Sequence, residues 1–295
     1  MRRMSEAPLG SLAHAARTRL RALVASGRAI AVPGATDALS ARLIEAHGFD
    51  AVYIGSYATA ASRFGLPDTG LLSLDDLATQ ARTIANAVRV PVIADAEGGF
   101  NDPANIWRTV QAFEQAGVAA IHIEDHSGAG KHTDLPQALR PLEEAAARIR
   151  AAVDARTDPD FLVVARSDAN WIARDFDDTV RRLEAYAAAG ADLVFPTSVT
   201  PAQLAEIRRR VARPAMIVDM PGATLADEER AGASIVLYYG FSALVAFDAL
   251  GRALATFKTT RDANAVPGYR ERVREFEDFM GYREFAARAR RYGGS

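Results

Sequence analysis

Residues 91–100 read Pro-Val-Ile-Ala-Asp-Ala-Glu-Gly-Gly-Phe. An apolar run, Pro91–Ala94, leads into Asp95, then Glu97, then two glycines. The run does not alternate with polar residues, which is the pattern of a parallel strand covered on both faces. Seven more runs of this kind lie on either side of it: Ala29–Val32, Ala51–Ile54, Ala119–Ile123, Phe161–Ala165, Ala191–Phe195, Pro214–Val218 and Ala233–Tyr238. Segments of helical period separate them. Strands that alternate with helices imply right-handed βαβ crossovers, and eight such units imply closure into a (β/α)₈ barrel.

The intervening helices carry start and stop signals. Leu74–Val88 follows Ser73 and has Asp75 and Asp76 in its first turn, where carboxylates suit the helix dipole. Pro103 opens another helix, Thr200 is placed to cap Pro201–Val211, and Gly190 to end Asp177–Ala189. Leu12–Ser26 reads as a helix packed under or beside the barrel. Phe241–Lys258 reads as a helix after the eighth strand. Beyond it Val273, Phe276, Phe279, Met280, Phe285 and Ala286 recur at mostly helical spacing. The expectation is one domain over 1–295. The barrel spans 28–258 within it, and 259–295 is a helical extension whose apolar stripe packs on a neighbouring subunit.

Bulk properties narrow the function. The chain has 295 residues, 49% hydrophobic and 24% charged, with a formal net charge of -2. That balance supports a sizeable core and leaves no basic footprint for nucleic acid. No apolar run approaches the roughly 20 residues needed to cross a bilayer. Met1–Gly10 has Arg2 and Arg3 but no apolar stretch of the kind a secretion signal carries, so a cytoplasmic protein is expected. With no cysteine, disulfides, thiolate metal sites and a cysteine nucleophile are excluded.

In such a barrel the active site lies at the carboxyl ends of the strands. There the sequence places Gly55-Ser56-Tyr57 and, further along, Asp68. Asp95 and Glu97 follow the third run, Glu124-Asp125-His126 the fourth and Arg166-Ser167-Asp168 the fifth. Asp219 follows the seventh run, and Tyr238-Tyr239 the eighth. Side chains two apart on a strand share a face, so Asp95 with Glu97, His122 with Glu124, and Arg166 with Asp168 are expected to point into the barrel mouth. Carboxylates around one cavity repel each other unless a cation or proton lies between them. Oxygen ligands with no cysteine suggest Mg²⁺ or Mn²⁺. Arg166 would then grip a substrate carboxylate with both arms of its guanidinium. His122 reads more simply as a barrel-core histidine, and Lys131 and His132 read as well as solvated loop residues as catalysts.

Five stretches, in order and spacing, resemble the isocitrate lyase/phosphoenolpyruvate mutase superfamily from about Leu20 to Leu250. They are Pro33-Gly34-Ala35 with Asp37–Ala41, Gly65–Asp68, Asp95–Phe100, Ile123-Glu124-Asp125 and Ala165–Ala169. The resemblance implies a Mg²⁺-binding barrel that acts on 2-oxo or 2-hydroxy acids through an enolate-like intermediate. It implies Asp95 as the direct metal ligand, with Glu97, Glu124 and Asp68 as ligands through water. It also implies Gly55, Ser56, Tyr57, Arg166 and Asp219 as substrate-binding residues, and a homotetramer that exchanges a C-terminal helix. The lyase branch carries a K-[KR]-C-G-H loop, and this chain has His126–Asp134 there instead, without the cysteine. Glu97 stands where the family usually has Asp, and Asp219 where Asn is frequent.

The leading expectation is a Mg²⁺-dependent lyase that cleaves a C–C bond in a small 2-hydroxy or 2-oxo dicarboxylic acid. Arg166, Lys131 and His132 are its catalytic residues, and Lys131 or His132 replaces the missing cysteine acid. The alternatives are decarboxylation of oxaloacetate, P–C chemistry on a phosphonopyruvate-like acid, and a non-catalytic ligand-binding homologue.

Overall fold

The computed structural model describes residues 9–128 and 131–293. Met1–Pro8, together with Ala129 and Gly130 of the 126–134 loop, lie outside the described residues. Eight parallel strands form one sheet: β1 (Ile30–Pro33), β2 (Val52–Ile54), β3 (Val92–Asp95), β4 (Ala120–Glu124), β5 (Leu162–Ser167), β6 (Leu193–Pro196), β7 (Ala215–Val218) and β8 (Ala233–Tyr238). Their hydrogen-bonded order is β1-β8-β7-β6-β5-β4-β3-β2. A parallel bridge between Gly34 and Tyr53 joins the two ends, and the Ala35 amide donates to the Tyr53 carbonyl at 2.8 Å. The eight apolar runs are the eight strands, to within two residues at each boundary.

Both faces of each strand are buried, which is why the runs read as continuously apolar. Ile30, Val32, Tyr53, Ile93, Leu162, Val164, Leu193, Phe195, Met216, Ile235 and Leu237 fill the interior. Val52, Ile54, Val92, Ile121, Ile123, Val163, Ile217 and Val236 face outward. Helices cover these outward residues with Leu77, Ile84, Val110, Phe113, Ile149, Leu183 and Ile207. Burying one such aliphatic side chain contributes about 1.5–3 kcal/mol.

The amino-terminal helix α1 (Leu9–Ala25) seals the floor. Leu20 is fully buried in the interior cluster, with Leu23 and Val24 against it. Arg17 donates to the carbonyls of Val118 and Glu114 and pairs with Asp158, all just ahead of strands β4 and β5. The cavity lies at the other end, where its lining residues stand at or just beyond the carboxyl ends of the strands. The loops there run into firmly capped helices. Ser73 and Asp76 form a reciprocal capping box at Leu74–Ala85, as do Thr200 and Gln203 at Pro201–Arg210.

The chain divides into two compact units, Met1–Ala243 and Leu244–Ser295. The second holds most of the helix Phe241–Thr260 and the helices Val273–Met280 and Tyr282–Tyr292. Phe247, Leu250 and Phe285 in it are exposed. Among the described residues no helix is long and apolar enough to cross a membrane.

Candidate active site

Asp95 is the last residue of β3 and is almost fully buried. Its Oδ2 accepts from the Ser56 amide at 3.2 Å and the Ser56 hydroxyl at 3.0 Å, and its Oδ1 accepts from the Glu97 amide at 2.8 Å. His122 Nε2 lies 3.7 Å from Oδ1 and shares a hydrogen bond of 2.9 Å with the Tyr53 hydroxyl. Burial works against the Asp95 charge, but His122, Lys131, Arg166 and the Glu97 amide outweigh it and hold the carboxyl well below the usual carboxylate range. Burial lowers the His122 pKa, against the pull of Asp95. His122 is therefore a working part of the wall, tied to Tyr53 and Asp95.

Glu97 reaches the site by a route that strand alternation does not describe. The strand ends at Asp95, and Glu97 has a left-handed backbone, φ +48°. This tight turn brings its carboxylate back toward β4, where the Glu97 carbonyl accepts from the Glu124 amide at 2.9 Å. The expected shared strand face is replaced by a turn, with the same two acids brought together. Burial and then the charges of Asp95 and Glu124 push the Glu97 carboxyl up to about 8.

Lys131 comes from the loop after β4 and is buried. Its ammonium lies 3.1 Å from Glu97 and 3.0 Å from Glu124. Burial opposes this charge, but Glu124 and Asp95 outweigh it and raise the lysine pKa. Arg166, on β5, lies 3.0 Å from Glu124 through one NH and 2.8 Å from Asp168 through Nε, over the Phe195 ring. Burial also opposes the Glu124 charge, and Lys131 with Arg166 outweighs it, so its pKa falls.

A hard divalent cation fits the acids. Asp95, Glu97 and Glu124 each offer an oxygen, and these lie within 4.8 Å of one another. Glu97 Oε1 is buried without a partner, an uncommon state for a buried carboxylate oxygen. Asp68 stands apart from this group. Its Oδ2 pairs with His132 Nε2 at 3.2 Å, and the imidazole lies against Trp171, with ring centroids 5.1 Å apart, and edge-on to Tyr57.

These groups surround a cavity of about 300 Å³, within the range of small-ligand sites. Gly55, Ser56, Tyr57, Asp68, Asp95, Lys131, His132, Arg166 and Asp219 all line it, whereas Glu97 and Glu124, which contact Lys131, do not. Ser56 uses its amide and hydroxyl to hold Asp95. His122, expected to face the barrel mouth with Glu124 and to be a barrel-core histidine, is buried there against Tyr53. Sequence reasoning missed Tyr53 and Trp171. Trp171 sits on a four-residue turn after β5, and no spacing marks it, whereas Tyr53 faces the interior from β2, and strand parity is the signal that could have found it.

A barrel whose one open end gathers three buried acids, a lysine and an arginine is an enzyme of the (β/α)₈ class. A sequence model of the phosphoenolpyruvate phosphomutase family matches residues 20–258. The chain is 35% identical over 278 residues to a 2,3-dimethylmalate lyase of Eubacterium barkeri, covering 89% of this chain and 93% of that one. It is 37% identical over 247 residues to a 2-methylisocitrate lyase of Salmonella typhimurium, covering 81% and 82%. A phosphonopyruvate hydrolase solved with oxalate and Mg²⁺ superposes with a TM-score of 0.85 at 29% identity, over 94% of this chain and 98% of that one. The chain belongs to the phosphoenolpyruvate phosphomutase family, within the isocitrate lyase/phosphoenolpyruvate mutase superfamily, and is an enzyme of its carbon–carbon lyase class.

Proposed function

We propose that this enzyme is a Mg²⁺-dependent lyase that cleaves the C–C bond between C2 and C3 of a small 2-hydroxy dicarboxylic acid and releases a 2-oxo acid. The observation that carries this reading is that Asp95, Lys131 and Arg166 line one cavity while Glu97 and Glu124 contact the lysine and the arginine, in a chain with no cysteine. Asp95, Glu97 and Glu124 would hold the cation, with Asp68 near its water shell. A cation bound there supplies Lewis-acid polarisation of the substrate's 2-oxygen.

The protein's own groups supply the rest. Arg166 binds a substrate carboxylate, and its position is fixed by Asp168 and Glu124. Transfer of the 2-hydroxyl proton to the Asp68–His132 pair lets the C2–C3 electron pair move into the distal carboxylate. A proton must then be returned to C3. His132 is placed for this: it lines the cavity and Asp68 orients its ring, as a carboxylate orients a catalytic imidazole. Lys131 offsets the carboxylate charge behind the substrate. Tyr57 and Gly55 shape the wall nearest the 2-oxygen. Decarboxylation of oxaloacetate is the second reading, favoured by the same metal-and-arginine pair with no cysteine acid.

The exposed apolar residues of Leu244–Ser295, Phe247 and Leu250 among them, support assembly with copies of the chain. The reading is a homotetramer in the cytoplasm, and its mass in solution by light scattering tests the assembly.

The functional test is a coupled assay for pyruvate with Mg²⁺ and then with excess chelator, on 2,3-dimethylmalate, 2-methylisocitrate, oxaloacetate and phosphonopyruvate. The expected result is chelator-sensitive pyruvate from the first substrate, and none from Asp95→Ala. Full activity in chelator, or in Asp95→Ala, overturns the metal assignment.

A further inference from the structure

We infer that the cavity wall built by β6, β7 and β8 is the specificity subsite, which takes an uncharged apolar substituent and, through Asp219, turns away a third carboxylate. This rests on the proposed reading that a 2-hydroxy dicarboxylate is the substrate, and it names which members of that class the site accepts.

The barrel order decides where charges can meet the substrate. With eight strands in a ring, β7 stands across the mouth from β3. The basic residues that line the cavity are Lys131 after β4, His132 beside it, and Arg166 on β5. They all stand on the side of the buried acids, and Lys131 is already engaged by Glu97 and Glu124. The far wall has no basic side chain. It is mostly Val199, Val218, Met220, Pro221 and Leu237, with Ser198 and Tyr239 as its uncharged polar members. Thr197, the hydroxyl nearest Arg166's side of that wall, is committed to the Ser167 carbonyl and to Asp168 Oδ1 at 2.9 Å.

Asp219 is the one charge on the far wall. It follows the end of β7, and its amide donates to the Leu237 carbonyl at 3.1 Å. Among the described residues its carboxylate has no ion-pair partner. Arg166 would bind one substrate carboxylate, and a cation held by the acids would offset the charge of a second. A third, carried on a longer arm toward β7, would lose its hydration against aliphatic side chains and meet a like charge with no counter-ion. An ethyl arm of the same size would gain contact with Val199, Met220 and Leu237. Like charges a few ångströms apart near a protein surface shift affinity by on the order of tenfold or more. The spare room of the cavity therefore favours alkyl-substituted malates over tricarboxylates.

The test uses ligands that lack the 2-hydroxyl and so are not cleaved. 2-Ethylsuccinate and tricarballylate share one frame and differ chiefly in whether the arm ends in methyl or carboxylate. Isothermal titration of the full-length, Mg²⁺-loaded protein with each is compared with oxalate, which reaches only the anchoring groups. The wild type is expected to bind 2-ethylsuccinate at least tenfold more tightly than tricarballylate. Asp219→Asn is expected to narrow that ratio by raising tricarballylate affinity, with oxalate titrated into the same variant as the reference for the anchoring groups. Equal or tighter binding of tricarballylate by the wild type, or an unaltered ratio in Asp219→Asn, overturns the subsite. Failure of oxalate itself to bind a folded, Mg²⁺-loaded protein overturns the dicarboxylate reading beneath it, and is distinguishable because no arm is involved.

Discussion

The ammonium of Lys131 lies 3.0 Å from the carboxylate of Glu124, with 3% of one side chain and 2% of the other exposed. A buried acid cluster needs a cation, and this side chain is the one that reaches both Glu97 and Glu124. Removing one partner of a buried pair costs about 3–5 kcal/mol because the other charge is left unpaired. Lys131→Met is therefore expected to lower the melting temperature in chelator by several degrees. Mg²⁺ should restore more of the loss than it adds to the wild type, since binding to the folded state alone stabilises it. Differential scanning calorimetry with and without Mg²⁺ reads both effects. An unchanged melting temperature in chelator would show that the pair contributes nothing.

Arg166 reaches Glu124 and Asp168 at once, which a single ammonium does not reproduce. Arg166→Lys keeps the charge and loses the planar fork. The expected result is a fall in kcat/KM of roughly a hundredfold, given how steeply catalysis depends on substrate position. Steady-state kinetics near those of the wild type would remove Arg166 as the carboxylate clamp.

These two residues also show where the sequence was legible. Arg166 sits on a strand, so its inward direction follows from alternation, and the eight strands themselves follow from runs that are apolar on both faces. Lys131 sits on a loop, and nothing in the spacing of 126–134 says that its chain turns back over Glu97. Glu97 was placed in the right cluster for an incomplete reason: alternation ends at Asp95, and a left-handed turn does the work. Asp68, expected as a metal ligand through water, pairs with His132, a contact between two loops far apart in sequence. Long-range loop contacts of this kind leave no periodic signal.

Gly55 is close to the Tyr53 ring. A Cβ at Gly55 would lie 2.8 Å from Tyr53 Cε1 and Oη, and Tyr53 is buried with its hydroxyl bound to His122. The ring has little room to yield, so Gly55→Ala is expected to destabilise the protein by about 1–3 kcal/mol, the usual cost of overpacking. The same shift should weaken Mg²⁺ binding, because Ser56 next to it holds Asp95. Urea denaturation and a metal titration measure the two effects. Wild-type stability in this variant would mean that Tyr53 moves freely.

Asp158 ties the helix α1 to the floor of the barrel, and its contribution has a definite pH window. Its Oδ2 lies 3.0 Å from both His14 Nδ1 and Arg17, and its Oδ1 accepts from the Asp160 amide at 2.9 Å. Burial opposes the charge, but His14, the Asp160 amide and Arg17 outweigh it and lower the carboxyl to about 2. An unfolded aspartate titrates near ~3.9. Between these values the unfolded chain binds more protons than the folded one, so stability rises with pH there. The contribution is complete above about pH 5 and is lost as pH falls toward 2. Asp158→Asn, which lacks the charge at every pH, is therefore expected to be less stable than the wild type down to about pH 5, below which the unfolded aspartate takes up protons. The gap should then close as pH falls toward 2. Urea midpoints measured at intervals from pH 7 to the acid limit of reversible unfolding give this difference directly, with the other carboxylates cancelling between the two proteins. A gap of the same size at pH 3 as at pH 7 would mean that Asp158 holds α1 by its shape and neutral hydrogen bonds rather than by its charge.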